Sequence, residues 1–149
     1  MLKIISGGQT GVDRAALDLA LELKLPCGGY CPKGRKAEDG VIPAKYPLQE
    51  TDSADYEPRT EKNVEESDGS LILSVGKLLT GGTEFTALSA KKQNKPLFVV
   101  DLEHPPKKSE FHDWLHQFMI KTLNVAGPRE SNSHGIHQKA HKLLKSWFL

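Results

Sequence analysis

The residues best placed to do chemistry are Ser6-Gly7-Gly8-Gln9-Thr10-Gly11-Val12-Asp13-Arg14. Glycines at 7, 8 and 11 remove the side chains that would hold a ligand off the backbone. Such a turn leads into a helix, and helix-start N–H groups and the helix dipole favour an anion, most often a phosphate. Gln9, Thr10 and Asp13 add polar side chains that a purely structural turn does not need. The alternative is a tight turn with no ligand. A second glycine turn, Gly76-Lys-Leu-Leu-Thr-Gly81-Gly82-Thr83, and a third, Gly127-Pro-Arg129-Glu130-Ser131, repeat the pattern. A basic cluster, Lys33, Arg35 and Lys36, lies in the loop after the second expected strand, either as ligand contacts or as a solvated face.

These turns need elements to hold them. Leu2-Lys3-Ile4-Ile5 reads as a buried strand, and Ala16, Leu19, Ala20 and Leu23 mark one face of a following helix. Cys27–Cys31 reads as a second strand. The stretch from Pro32 to about Pro58, with prolines at 32, 43, 47 and 58, shows no sustained periodicity. A short helix is expected from Arg59 to about Asp68, with Thr60 as its cap. Ser70–Val75, Leu97–Val100 and Leu123–Ala126 read as strands, the first of them buried on both faces. Helices are expected over about Glu84–Gln93, through Phe111, Trp114, Leu115, Phe118 and Met119, and through Ile136, Ala140, Leu143, Leu144 and Trp147. Strands alternating with helices imply one doubly wound domain over 1–149, a five-stranded, mainly parallel, Rossmann-like α/β sheet with helices on both faces. The expected strand order is 2-1-3-4-5, with a crevice between the first and third strands that both leading glycine turns would line.

Composition narrows the class. The chain has 149 residues, 38% hydrophobic and 26% charged, with a formal net charge of +1. That balance gives no reason to expect nucleic acid or a membrane as partner. No apolar run approaches the roughly 20 residues of a membrane span. The first strand starts at once, leaving no room for a signal peptide, and two cysteines are too few for a disulfide scaffold; both features point to the cytoplasm. His112/His116 and His137/His141 have helical metal-binding spacing, but no third ligand is placed beside either pair, and no metal is expected. Asp13, Glu38, Glu84 and Glu130 flank the loops. Each is a candidate acid, base, ribose partner or helix-terminus partner, and spacing does not rank them.

Ser6-Gly-Gly-Gln-Thr-Gly-Val-Asp-Arg-Ala-Ala, Cys31-Pro-Lys-Gly-Arg with Glu38-Asp-Gly, Ser53-Ala-Asp-Tyr, Arg59-Thr-Glu with Asn63, Ser67-Asp-Gly, Thr80-Gly-Gly-Thr and Asn124-Val-Ala-Gly-Pro-Arg-Glu-Ser resemble, in one order over nearly the whole chain, the putative molybdenum carrier family. That family falls within the Rossmann-like, lysine-decarboxylase-like (SLOG) superfamily. The resemblance implies a homo-oligomer that binds a phosphorylated, nucleotide-like or pterin ligand, with molybdenum cofactor (molybdopterin) as cargo. Gly7, Gly8, Gln9, Thr10, Gly11, Gly81, Gly82 and Thr83 would cradle the phosphate. Lys33, Arg35 and Arg129 would supply charge, and Asp13 or Asn63 would fix polar groups. Phosphoribohydrolases of the superfamily carry Pro-Gly-Gly-x-Gly-Thr-x-x-Glu. Here the leading proline is missing, Thr86 stands at the glutamate's place and Glu84 comes two residues early. Two alternatives follow: a nucleoside-monophosphate N-glycoside hydrolase using Arg59 and Glu84, and a nucleotide-sensing regulatory module.

Overall fold

Ile4 and Ile5 are buried, and their strand β1 (Lys3–Ile5) forms the inner part of a sheet that the rest of the chain wraps. In the computed structural model, which describes residues 1–149, β1 is followed by α1 (Val12–Glu22), β2 (Cys27–Gly28), β3 (Tyr30–Cys31), β4 (Lys36–Ala37), β5 (Gly40–Val41), β6 (Gln49–Glu50) and α2 (Tyr56–Glu66). Then come β7 (Gly69–Ser74), α3 (Gly81–Lys92), β8 (Leu97–Asp101), α4 (Lys108–Gln117), β9 (Thr122–Ala126) and α5 (Ile136–Phe148). The five-stranded sheet is parallel throughout, in the order β2-β1-β9-β7-β8. Ile4 pairs with Leu123 of β9, and Leu71 of β7 pairs with Val125.

The α/β class holds, and the strand order corrects the expected one. The last strand, β9, inserts between β1 and β7, so the first and third long strands are not neighbours. Starting instead at β7 and running cyclically through β8, β9, β1 and β2, the observed order is the flavodoxin-like 2-1-3-4-5. The fold is thus a circular permutation of the common one. Local strand-turn-helix units look the same whichever strand comes first, which is why periodicity missed it. The switch point, where connections leave to opposite faces, lies between β7 and β9. Helices α2 and α3 pack together on one face, and α1, α5 and α4 on the other.

The main core gathers Ile4, Val12, Leu19, Leu71, Leu73, Leu123, Val125, Phe111, Leu144 and Trp147. Phe111 stacks on Trp147 with ring centroids 4.5 Å apart. Trp114 and Trp147 are buried here, whereas Phe118 is 43% exposed.

Four local readings change. The second strand breaks at Gly29, whose φ of +130° turns the chain and whose Cβ, if present, would overlap Ser6 O. The part before the break pairs with β1 and the part after it with β6. The stretch from 32 to 58 is not featureless: β4 and β5 form a hairpin, and Leu17, Cys31, Ala37, Ile42 and Tyr46 make a second small core. Helix α2 starts three residues early, so Thr60 is no cap; its hydroxyl donates to Tyr56 O one turn back. Helix α3 begins at Gly81 rather than Glu84, so the two glycines form its first turn.

Candidate functional site

At the carboxyl ends of β7 and β9 lies a crevice of about 520 Å³. Ser74, Val75, Leu78 and Thr80–Thr83 line one side from the loop after β7 and the start of α3. Ala126–Arg129, Asn132 and Ser133 line the other from the loop after β9. Gln9, Asp13, Tyr56, Arg59 and Thr86 complete the lining. Doubly wound sheets bind their ligands at the switch point, and this crevice lies at that point once the permutation is taken into account.

The turn into α3 is open. The first helical hydrogen bond is Glu84 N–H to Thr80 O, and the N–H groups of Gly81, Gly82 and Thr83 reach no protein acceptor. No side chain caps the helix at Thr80. A Cβ at Gly81 or Gly82 would meet nothing within 4 Å. Three unpaired donors at the positive end of a 12-residue helix therefore face the crevice. Thr86 lines the crevice, its hydroxyl donating to Gly82 O at 3.0 Å. Glu84 is exposed and outside the lining.

The turn into α1 is filled by the chain itself. A Cβ at Gly7 would overlap Arg59 Nη1, one at Gly8 would meet Leu48 and Ile42, and one at Gly11 would overlap Pro128 O. The first helical N–H, Val12, donates to Pro128 O at 3.3 Å, and the Gln9 N–H donates to Asp13 Oδ2 at 3.2 Å. Thr10 Oγ1 donates to Glu38 and accepts from Glu130 N–H at 3.2 Å, tying three loops together. Here the glycines admit neighbouring backbone and side chains.

The charged candidates separate in the same way. Arg35 donates to four carbonyls, Ile42, Leu48, Pro43 and Tyr46, at 2.8–3.3 Å, and so staples the 42–48 loop instead of reaching the crevice. Lys33 is exposed and away from it. Asn63 grips the Tyr30 backbone at both ends, accepting from its N–H at 2.8 Å and donating to its carbonyl at 2.9 Å. Glu38 accepts from Ser131 and Thr10, and those bonds hold its carboxyl below the usual range. Glu130 accepts from the N–H groups of Gly135 and His137, capping α5, which lowers its carboxyl likewise. Asp13 alone of the four carboxylates lines the crevice. Burial raises its pKa, against the pull of Arg59 and the Gln9 N–H.

Arg59 Nη1 stands 3.6 Å from Asp13 Oδ2, its one ion pair. Its Nε is buried without a partner, as is Gln9 Oε1, although Gln9 Nε2 donates to Lys36 O at 2.8 Å. Arg129 makes no ion pair; its guanidinium lies 4.5 Å from the Tyr56 ring centroid. Three of the four paired histidines are hydrogen-bonded within the fold: His137 meets Asp18 at 2.8 Å, His141 meets Glu22 at 2.9 Å, and His112 meets Trp147 O at 2.7 Å. Tyr56, Ser74 and Thr86 were not singled out as ligand contacts from sequence. Tyr56 reaches the crevice because α2 begins at Tyr56 and not at Arg59, which puts the two about one helical turn apart.

A permuted doubly wound domain with its crevice at the switch point defines the class. The chain belongs to the circularly permutated YpsA SLOG family, whose model matches residues 4–148. It is 44% identical to a protein whose crystal structure at 1.45 Å resolution is described as a putative molybdenum carrier protein from Syntrophus aciditrophicus SB. That alignment covers 100% of this chain and 96% of the other, with a TM-score of 0.94. Among curated proteins none matches the chain.

Proposed function

We propose that this protein binds a phosphorylated, nucleotide-like or pterin small molecule in the crevice between β7 and β9 and acts as a carrier, with molybdenum cofactor as its cargo. The observation that carries this reading is the set of unpaired N–H groups at Gly81, Gly82 and Thr83, which face a polar cleft holding two guanidinium groups. Phosphate is the chemistry such a helix start accepts. Arg59 and Arg129 add charge-assisted donors, and Asp13 and Gln9 offer acceptors to hydroxyl or ring N–H groups of the ligand. The name of the 44% identical relative supports a carrier role, and that support is by analogy.

The protein is proposed to bind without fast turnover. N-glycoside cleavage needs an acid or base within reach of the reacting atoms, and Glu84 is outside the lining. Asp13 is the carboxylate that would have to substitute. Mass spectrometry of the small molecule released from purified protein tests the binding reading, which expects a phosphorylated heterocycle. Incubation with a panel of nucleoside monophosphates tests turnover. Release of free base near the ordinary rate of about 1 per second, abolished by Asp13→Asn, would replace the carrier reading with the hydrolase. Self-association and a cytoplasmic location remain part of the proposal; light scattering at micromolar concentration is expected to give more than the monomer mass. No helix is long and apolar enough to cross a membrane.

A further inference from the structure

Three cations gather on the ring of Tyr56, which lines the crevice together with Arg59 and Arg129, while Lys36 stands outside that lining. Arg129 Cζ and Lys36 Nζ each lie 4.5 Å from the Tyr56 ring centroid, and Arg59 Cζ lies 5.5 Å from it. They come from three separate segments: α2, strand β4 and the loop after β9. Like charges so close repel one another, and the carboxylates nearby do not balance them. Asp13 pairs with Arg59 at 3.6 Å, while Lys36 and Arg129 have no ion pair. Glu38 lies near enough to feel Arg129, yet its oxygens are taken by Thr10 and Ser131. No side-chain hydrogen bond from Arg59 to a protein acceptor forms, and its Nε is buried without one. The ring face attracts cations. It cannot satisfy guanidinium N–H donors, which need oxygen acceptors in a plane.

We infer that Arg59, Arg129 and Lys36 around Tyr56 form a second anion subsite, next to the one at the start of α3. The ligand class is then a small molecule carrying two adjacent anionic groups, as a nucleoside diphosphate or a diphosphate ester does. This rests on the reading of the crevice as a phosphate site and adds to it. The α3 turn takes one phosphoryl group through backbone N–H groups, and the cation cluster takes the other through fork-shaped donors. Tyr56 holds the guanidiniums apart and in place until the anion arrives.

The test uses inorganic phosphate and inorganic pyrophosphate as probes, titrated calorimetrically into the full-length protein at one fixed ionic strength. The wild type is expected to bind pyrophosphate at least about tenfold more tightly than phosphate, the factor one added charge-assisted contact supplies. Arg129→Ala and Lys36→Ala should each bring that ratio towards one. Lys142→Ala, which removes the same charge from the exposed face of α5, should leave the ratio as in the wild type. Thermal melts of each variant separate loss of binding from loss of fold, and Arg129→Lys provides a variant that keeps the charge but loses the fork. A wild-type ratio near one, or a ratio that Arg129→Ala and Lys36→Ala do not move, overturns the second subsite and leaves the phosphate reading standing. Failure of the wild type to bind either probe overturns both.

Discussion

Two glycine turns of similar composition meet opposite fates in this molecule. At Gly7–Gly11 the space above each glycine is taken by Arg59, Leu48, Ile42 or Pro128, and the first N–H of α1 is paired with the Pro128 carbonyl, while the N–H groups of Gly8, Thr10 and Gly11 have no acceptor, so it is the filled space and not the amide count that sets this turn apart. At Gly81–Thr83 the glycines face open space and the N–H groups are free. A glycine-rich strand-to-helix turn therefore signals close approach, and only the topology says whether chain or ligand approaches. In the permuted order β7 plays the part that β1 takes in the unpermuted fold, and the proposal therefore assigns the ligand to the turn after β7.

The largest expected effect breaks this comparison at Gly11. Its φ of +83° is strained for alanine, and the new Cβ would overlap Pro128 O and crowd Glu130 N at 2.8 Å. Gly11→Ala should cost about 3 kcal/mol or more in urea denaturation. Gly82→Ala should change stability by less than about 1 kcal/mol, since alanine is favoured in helices and nothing opposes its Cβ. Equal losses would show that the two turns do not differ.

Arg35→Ala comes next. It frees the 42–48 loop whose Ile42 and Leu48 cover Gly8, and should cost about 2 kcal/mol. Lys33→Ala should stay within about 0.5 kcal/mol. If the pair behaved alike, Arg35 would belong to the solvated face.

A smaller effect sharpens the account of Asp13. Arg59→Ala removes the cation that holds its pKa down against burial. A carboxyl whose folded pKa is raised gives stability at low pH that is lost as pH rises through that pKa. The variant should therefore lose stability as pH rises above the ordinary carboxylate range, more steeply than the wild type, and Asp13→Asn in the same background should remove the slope. The smallest effect concerns Glu38. Its folded pKa is lowered by the Thr10 and Ser131 bonds, so its contribution is present above the ordinary carboxylate range and fades as pH falls below about 4. Glu38→Gln should flatten the acid end of the stability profile by a few tenths of a kcal/mol.

The alternation of strands and helices was legible because each unit carries its own period, such as the buried run of β7 and the Phe111–Trp114–Leu115 face of α4. The place of β9 was not. It is set by pairing with β1 and β7, from which it is far in sequence, and nothing within Leu123–Ala126 encodes that choice. Site residues divide along the same line. Gly81, Gly82, Thr83, Asp13, Gln9 and Arg129 line the crevice. Arg35 and Asn63 looked like ligand contacts because a polar side chain in a loop reads the same whether it meets a phosphate or a backbone. The irregular 42–48 segment has carbonyls that need donors, and Arg35 supplies them.

The central claim is that an anion goes to the turn before α3 and not to the turn before α1. Backbone amide NMR during a titration with inorganic phosphate tests it most directly. The account predicts shifts centred on Gly81, Gly82 and Thr83, with Gly8 and Gly11 still. Shifts centred on Gly8–Gly11, with Gly81–Thr83 unmoved, would contradict it.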